Sequence, residues 1–318
     1  MSAKLRAGLT GVAFLLASCS PSDAPEIGKD YPLTRITERV YVIHGPNEMP
    51  NPANQGFMNN PGVVLTQAGV VVVDPGGSRQ VGEMLLKKIA GMTQEPVIAV
   101  FNTHIHGDHW LANEAIRKAY PKAVIYAHPK MIAAAGSAGE SWVNLMDRLT
   151  EGATRGTKPV APDMGVEDGE TLKLGGIGFR FYHTGKAHTD SDIAIEVVEE
   201  KVVFLGDIVV AKRAGRMDDG DFRGNLAIID TVLGSSQAVR YVPGHGETGG
   251  REVAEAYRDY INALLAAVKK YYEQGMSDFE MKDKVLADLA PYKDWAMFDS
   301  EMGKLISLAY LSVESESF

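Results

Sequence analysis

Three histidines and one aspartate fall within residues 104–109 (HIHGDH), in a chain that has only 8 histidines among 318 residues. The segment directly follows an apolar run that predicts a buried strand. His104 and His106 are two residues apart, so an extended chain points both imidazoles to the same side. The turn that follows lets Asp108 and His109 reach a neighbouring position. This combination of nitrogen and oxygen donors is typical of a zinc site.

Charge and composition narrow the range of partners. The chain has 32 Lys and Arg against 41 Asp and Glu, which gives a net charge of -9. It has no run of basic residues that could follow a phosphate backbone, so we expect a small-molecule substrate and no nucleic-acid partner. A hydrophobic content of 45% is enough for a large core. The oligomeric state is not indicated by the sequence.

The first residues have the order of a secretory signal: a basic start, then an apolar run from Ala7 to Ala17 that is too short to span a bilayer. The stretch Leu-Ala-Ser-Cys that ends at Cys19 resembles the bacterial lipobox, in which the cysteine becomes the lipidated first residue of the mature chain. We expect residues 1–18 to be removed and residues 19–33 to form a tether. The resemblance implies an exported protein that faces the periplasm and touches the membrane only through its lipid anchor. Ser20, after the cysteine, resembles a signal for sorting to the outer membrane.

Short runs with the pattern of β-strands begin after Thr34. The predicted strands are Val40–Ile43, Gly62–Leu65, Gly69–Val73, Val97–Phe101, Ala123–Ala127, Thr171–Leu174, Gly178–Tyr182, Ile193–Val198 and Val202–Leu205. Helices are predicted at Val81–Ile89, Ala112–Ala119 and Lys130–Leu149, and again from Arg251 onward. Two blocks of strands, each followed by helices, favour an α/β fold in which helices cover both outer faces of a β-sandwich. We therefore expect one catalytic domain over residues 34–250, with residues 251–318 as a helical extension packed on it.

Residues 104–109 resemble the His-x-His-x-Asp-His hallmark of the metallo-β-lactamase superfamily, and the likeness extends over about residues 36–250. Downstream, His188 lies in a Gly-Lys-Ala-His-Thr segment, Asp207 ends an apolar run, and His245 lies in Pro-Gly-His-Gly. Each of these segments is similar to a ligand segment of that family. The family fold is a four-layered αββα sandwich, which agrees with the order of the predicted elements.

The resemblance implies two metal sites. The first would be formed by His104, His106 and His188, and the second by Asp108, His109 and His245. Asp207 would bridge the two ions, and Asp74 matches an aspartate that holds the metal ligands in place from behind.

The implied chemistry is hydrolysis with two Zn²⁺ ions, which lower the pKa of a bridging water toward ~7. The resulting hydroxide would attack an ester, thioester, lactone or amide, while Asp108 orients the nucleophile and carries its proton. A β-lactamase is one alternative. A mononuclear iron oxidoreductase similar to the persulfide dioxygenases is another, with iron or mixed metals in place of zinc. A metal-binding protein without turnover is the alternative outside the enzymes.

Two segments are candidates for contact with the substrate. The loop Gly45–Pro61 contains Met and Phe residues, and it is either a flap over the site or a loop packed on the core. Lys212, Arg213 and Arg216 follow Asp207 closely and are candidates for binding a substrate carboxylate. For the remaining histidines His44, His128 and His183, the sequence predicts no ligand role, because the ligand set is already complete.

Overall fold

The computed structural model describes residues 27–316, and its strands form two sheets. The first sheet has seven strands in chain order: β1 (Leu33–Arg35), β2 (Val40–Ile43), β3 (Gly62–Thr66), β4 (Gly69–Val73), β5 (Val97–Phe101), β6 (Val124–Ala127) and β7 (Met164–Gly165). It is antiparallel from β1 to β4 and parallel from β4 to β7.

The second sheet has five strands, ordered β12-β11-β10-β9-β8. These are β8 (Thr171–Leu174), β9 (Ile177–Tyr182), β10 (Ala194–Val197), β11 (Val202–Phe204) and β12 (Arg240–Val242). All pairs are antiparallel except β11 with β12.

Eight α-helices accompany the sheets within residues 27–316. They are α1 (Arg79–Met92), α2 (Gly107–Trp110), α3 (Asn113–Ala119), α4 (Pro129–Leu149), α5 (Phe222–Ser235), α6 (Glu252–Tyr272), α7 (Asp278–Asp288) and α8 (Phe298–Ser315). Side chains cap several of their N-termini. Ser78 accepts a hydrogen bond from Val81 N at the start of α1, and Ser277 forms a capping box with Glu280 at the start of α7.

Three layers of buried apolar side chains separate the four layers of structure. Every second side chain of a strand points into the layer between the sheets. This layer includes Val71, Val73 and Phe101 from one sheet and Phe179 and Ile195 from the other. On the outer face of the first sheet, α1 and α3 bury Val81, Leu85, Ile89 and Ile116 against the strands. The outer face of the second sheet packs against α5, α6, α7 and α8 in the largest cluster. The predicted αββα sandwich is therefore confirmed.

The strand β4 shows why the sequence folds in this way. Its residues Gly-Val-Val-Val-Val are all buried. The strand lies between β3 and β5 in its sheet, and one face is covered by the second sheet and the other by helices, so side chains on both faces are apolar. The predicted strands Val40–Ile43, Gly69–Val73, Val97–Phe101 and Thr171–Leu174 have the same bounds in the structure. Three short strands, β1, β7 and β12, and the helices α2 and α5 go beyond the predicted elements.

None of the helices within residues 27–316 is long and apolar enough to cross a membrane. The predicted signal segment, the lipidation residue Cys19 and most of the predicted tether lie outside the described residues. The C-terminal helices α6, α7 and α8 share one core cluster with α5 and the second sheet.

Candidate metal centre

The loop that carries the histidine motif is fixed at both ends. It leaves β5 after Phe101 and ends in the one-turn helix α2, where His109 N donates to His106 O at 3.1 Å. Trp110 is fully buried, and its Nε1 donates to Ile105 O at 2.7 Å. Hydrogen bonds to its own backbone oxygens therefore hold the loop in a fixed conformation, with its polar side chains toward the end of the sandwich.

The structure brings all seven predicted ligands together in two adjoining groups. Within each group the candidate ligand atoms lie within 4.8 Å of one another. One group contains His104, His106, His188 and Asp207, and the other contains Asp108, His109 and His245. The partition agrees with the two sites that the resemblance implies.

The Asp207 carboxylate lies between the two groups. Its Oδ1 is 3.2 Å from His109 Nε2, and its Oδ2 is 3.3 Å from His245 Nε2 and 3.6 Å from His188 Nε2. A side chain at position 244 would collide with this carboxylate, so the approach of the two strand ends requires Gly244. Asp207 is thus in reach of ligands from both groups, as a bridging carboxylate must be.

In three of the histidines, a hydrogen bond from one ring nitrogen leaves the other nitrogen free for a cation. His104 Nδ1 donates to Thr103 Oγ1 at 3.0 Å, His109 Nδ1 to Asp74 Oδ2 at 2.8 Å, and His245 Nδ1 to Met58 O at 2.8 Å. The opposite nitrogens then carry lone pairs that point into the cluster.

Several of these inward atoms have no hydrogen-bond partner. His104 Nε2, His109 Nε2 and Asp207 Oδ1 are all buried and make no aligned hydrogen bond, although the last two atoms lie 3.2 Å apart. Buried polar atoms nearly always have hydrogen-bond partners, so several potential metal ligand atoms without such partners at one point indicate a bound cation. Imidazole nitrogens with carboxylate oxygens are the ligands that zinc prefers, and the residues present therefore fit a metal centre.

Burial and mutual repulsion shape the pKa values of these groups. Burial, together with His106, lowers the pKa of His188 to about 3. Burial, reinforced by His109, also lowers the pKa of His104 well below its ordinary value. For His109, burial acts in the same direction, but Asp108 and Asp207 outweigh it and raise its pKa well above the ordinary value. A cation at this position would have to displace a proton, so its binding is coupled to pH.

Asp74 holds the motif from behind. Its Oδ1 accepts from Thr103 N at 2.8 Å, while its Oδ2 accepts from Thr103 Oγ1 at 2.7 Å and from His109 Nδ1 at 2.8 Å. The backbone of Asp74 has a φ of 48°, in the left-handed region that aspartate and asparagine tolerate best. The carboxylate therefore lies where the sequence predicts it, and it fixes which nitrogen of His109 faces the cluster.

The loop Gly45–Pro61 is packed on the core, and it also lines the pocket over the cluster. Phe57 is fully buried, whereas Met49 and Met58 line the pocket. Asn60 Nδ2 donates to Pro243 O at 2.9 Å and Gly246 O at 2.7 Å, on either side of His245. The packed segment is therefore confirmed for Phe57, and the flap over the site stays a prediction.

Asn60, Asp219 and Trp142 support or line the site, and sequence reasoning did not find them. Asp219 Oδ2 accepts from His106 Nε2 at 3.1 Å, which leaves His106 Nδ1 facing the cluster, 2.9 Å from His188 Nε2. The Trp142 ring packs on His106 at 5.1 Å between centroids. These residues come from α4 and from loops distant in sequence, and no local pattern marks them.

The three basic candidates for substrate binding do not lie together. Arg213 and Arg216 line the metal pocket, whereas Lys212 lines a different cavity of about 930 Å³ that contains none of the seven predicted ligands. Lys212 is therefore not in position to bind a substrate at the metal centre. The backbone of Lys212 is in the left-handed region, with a φ of 50°, and this turn separates its side chain from that of Arg213.

The remaining histidines lie outside the cluster. His44 Nε2 is 2.8 Å from Thr248 Oγ1. The rings of His128 and His183 stack on each other at 3.9 Å between centroids, and His183 Nδ1 donates to Asp192 O. None of the three belongs to a group of potential ligands in the described part of the chain.

Comparison with known proteins agrees with this geometry. The sequence model of the metallo-beta-lactamase superfamily matches residues 54–263. The Metallo-beta-lactamase type 2 of Bacteroides fragilis is 23% identical over 255 residues, which cover 77% of this chain and 91% of that protein. A Hydroxyacylglutathione hydrolase of Synechococcus sp. is 29% identical over 181 residues, which cover 57% of this chain and 60% of that protein.

Solved structures show the same fold. A metallo-beta-lactamase from Pontibacter korlensis has a TM-score of 0.60 at 20% identity, covering 73% of this chain and 99% of that one. A sec-alkylsulfatase from Pseudomonas sp. has a TM-score of 0.67 at 17% identity, covering 88% of this chain but only 50% of that one. Because the superfamily model matches more than half of its residues, this chain belongs to the metallo-beta-lactamase superfamily, as a metal-dependent hydrolase.

Proposed function

We propose that the chain is a dinuclear zinc hydrolase that acts on esters, thioesters, lactones or amides. The observation that carries the proposal is the position of the Asp207 carboxylate, which is within 3.6 Å of histidine nitrogens from both ligand groups. A single ion would leave the ligand atoms of one of the two groups without a cation.

Metal ions held by these seven residues would supply Lewis acidity, which would lower the pKa of a water molecule and polarise the substrate. The protein holds the reacting groups in place. Asp108 lies at the floor of the pocket, with its Oδ2 3.2 Å from His245 Nε2 and 3.4 Å from His109 Nε2. Burial acts to raise the pKa of Asp108, but the two histidines outweigh it and lower the pKa well below the ordinary value. An ionised carboxylate in this position can accept a hydrogen bond from the attacking water and so orient it.

Metal analysis combined with variants of the ligands tests the proposal. We expect the purified protein to contain two zinc ions per chain and to hydrolyse aryl esters. His104→Ala and His188→Ala should each lower the zinc content and abolish hydrolysis, since each removes a neutral nitrogen ligand. Stability should fall as well, because metal binding is coupled to the folded state. One iron per chain would favour the persulfide-dioxygenase-like oxidoreductase instead, and a normal zinc content in either variant would contradict the ligand assignment.

A β-lactamase is the second candidate. It is favoured by the relative from Bacteroides fragilis, since the alignment covers 91% of that protein. The relatives named Hydroxyacylglutathione hydrolase favour the first candidate, and one of them, from Francisella tularensis subsp. novicida, is aligned over 81% of its length.

We further propose that the protein is exported and anchored in the cell envelope through a lipid on Cys19. The support is the order of the first residues alone: basic, apolar, then Leu-Ala-Ser-Cys. The small-molecule substrate would then be one that reaches the periplasm.

A further inference from the structure

A second cavity lies behind the wall of the metal pocket. It has a volume of about 930 Å³, and none of the seven predicted ligands lines it. Residues 210–213 separate the two spaces, because Val210 and Arg213 line the metal pocket whereas Ala211 and Lys212 line the second cavity. Sites for small molecules usually have volumes of about 300–1,000 Å³. The second cavity is therefore large enough for a ligand of its own.

Aromatic residues line this second cavity. Tyr31 and Tyr257 are buried, and Trp295 is partly exposed. The rings of Tyr260 and Tyr292 hold the indole of Trp295 in place, each at 5.0 Å between centroids. A ring that is fixed in position and partly exposed offers an apolar contact at a small cost in side-chain entropy. The cavity thus favours a ligand with a flat apolar part.

Five lysine, aspartate and glutamate residues of the described chain line the cavity, and three of them already have partners. The three are satisfied by a ring, an ion pair and a backbone amide: Lys29 Nζ lies 5.1 Å from the ring centroid of Tyr31, Asp30 Oδ1 lies 2.6 Å from Lys88 Nζ, and Glu252 Oε1 accepts from Gly250 N at 2.7 Å. The other two, Lys212 and Glu247, form no ion pair or side-chain hydrogen bond with any part of the chain from residue 27 to 316. One positive and one negative charge thus remain available to a ligand.

These two free charges lie on neighbouring segments. Ala211 N donates to His245 O at 2.9 Å, so the chain that leads to Lys212 runs beside the chain that leads to Glu247. A Cβ at Gly246 would lie 2.5 Å from Ala211 O, and this close approach requires a glycine there. The two charged residues therefore line the cavity from adjacent segments, yet they do not pair with each other.

The backbone of Lys212 is strained. Its φ of 50° lies in the left-handed region, which lysine seldom adopts. Hydrogen bonds hold it there, because Lys212 O accepts from Ala296 N and Ala214 N donates to Ala296 O, both at 2.9 Å. Such strain is concentrated at ligand and active sites, and here it brings an ammonium to the second cavity instead of the metal pocket.

We infer that the second cavity is a binding site for a small zwitterion with an aromatic or other flat apolar body. Its carboxylate pairs with Lys212, its ammonium pairs with Glu247, and its apolar body lies against Trp295. A ligand with a single charge would leave either Lys212 or Glu247 without a partner. The site is separate from the metal centre and goes beyond the proposed function, because it uses none of the predicted metal ligands.

Three probes that share one ring test the inference. 4-(Aminomethyl)benzoate carries both charges at neutral pH, 4-methylbenzoate has the carboxylate alone, and 4-methylbenzylamine has the ammonium alone. Calorimetric titration of the zinc-loaded protein measures their affinities. We expect the zwitterion to bind at least about threefold more tightly than either singly charged probe, which is the size of effect that one partly exposed ion pair supplies.

Two variants should each remove the advantage of one charge. Lys212→Met should lower the affinity for the zwitterion to the level of 4-methylbenzylamine, and Glu247→Gln should lower it to the level of 4-methylbenzoate. The matched controls are Lys293→Met, two residues before Trp295, and Glu140→Gln in α4, since neither residue lines the cavity. Both controls should keep the parent's preference for the zwitterion.

The inference is wrong if either singly charged probe binds as tightly as the zwitterion, or if the Lys212 and Glu247 variants keep the parent's preference. Chelation separates this site from the metal centre. Binding should persist in chelator-treated protein that is still folded by circular dichroism. Binding that disappears with the zinc would mean that the probe binds the metals, and it would overturn the inference.

Discussion

Four of the five histidines of the metal centre, all except His188, have a protein partner that decides which nitrogen faces the cluster. For His109 this partner is Asp74, and for His106 it is Asp219. For His245 it is the backbone oxygen of Met58. The ligands are therefore oriented before any cation arrives, and replacing a partner should change the affinity for the metal more than it changes the fold.

Asp74→Asn tests this orientation. Asparagine also tolerates the positive φ of this position, but its amide cannot accept from both Thr103 and His109 in the way that the carboxylate does. We expect zinc affinity to fall about 10- to 100-fold, the range seen when such partners of ligands are changed. Competition with a chromophoric chelator measures the affinity. The same change at Asp278, at the start of α7, should leave it within about twofold, and equal losses in the two variants would refute the role of Asp74.

The ligands themselves could be predicted from the sequence, but most of their supports could not. Four of the seven ligands lie within residues 104–109, and the others lie in short segments that resemble known ones. Asn60 acts on a segment 183 residues away, and Asp219 acts on a histidine 113 residues away. Such contacts are created by the tertiary fold, and a single sequence carries no periodicity that would indicate them.

Among the helices and strands, the buried strands were the easiest to predict. In β4 and β5 nearly every side chain is apolar, because parallel strands in the middle of the sandwich are covered on both faces. The strands β7 and β12 have only two and three residues, and their pairing depends on the neighbouring strand more than on their own composition. The helix α5 contains two glycines and a nearly continuous apolar run, so its helical period is weak in the sequence.

The N-terminus of α4 is capped by a histidine, and we expect its titration to affect stability. His128 caps this helix by accepting from Lys130 N at 3.3 Å, and its ring stacks on His183. Burial, with the nearby His183 and Lys130, lowers the pKa of His128 to about 4, while Asp190 acts in the opposite direction. The unfolded chain, with an ordinary pKa near 6.5, therefore binds more protons than the folded chain between these two values. The stability that His128 contributes is complete above pH ~6.5 and is lost as the pH falls toward ~4.

His128→Asn keeps a capping acceptor and removes the titration. Urea unfolding of the chelator-treated variant should therefore depend less steeply on pH between 6.5 and 4 than unfolding of the parent protein. Chelation matters here because loss of metal in acid would also destabilise the parent. Parallel pH profiles for the two proteins would show that His128 does not contribute.

The C-terminal helices help to form the pocket as well as the core. The superfamily match ends at residue 263, yet Ala296 holds the main chain on both sides of Arg213, and Lys304 of α8 pairs with Asp218 at the pocket wall. Residues beyond the superfamily match therefore support the wall of the metal pocket without contributing a predicted metal ligand.

The proposed lipid anchor also concerns the whole molecule. Cys19→Ala removes the only cysteine of the chain, and with it the atom that would carry the lipid. We expect the variant either to appear in the soluble fraction of the cell envelope or to remain unprocessed. Fractionation followed by mass determination of the N-terminus distinguishes these results. A variant that stays with the membranes as the parent does, with an unmodified N-terminus in both, would show that no lipid is attached there.

We expect this protein to turn over β-lactams poorly despite its fold. Among the zinc β-lactamases that the chain resembles, one group has a cysteine and another a serine where this chain has Asp207. The Asp207 carboxylate lies between the two ligand groups, with Oδ1 toward His109 and Oδ2 toward His188 and His245. Its negative charge should hold the second cation tightly and weaken its action on a departing amide nitrogen.

Esters, thioesters and lactones have better leaving groups and depend less on that action. A side-by-side assay of the zinc-loaded protein on β-lactams, aryl esters, a glutathione thioester and lactones measures the difference. We expect the best oxygen or sulfur ester to exceed the best β-lactam by at least about 100-fold in kcat/KM, since a difference of that size corresponds to roughly 2.7 kcal/mol in the barrier. A β-lactam value at or above ~10⁵ M⁻¹s⁻¹, within the ordinary range for enzymes, would make β-lactam hydrolysis the preferred function, with Asp207 compatible with amide cleavage.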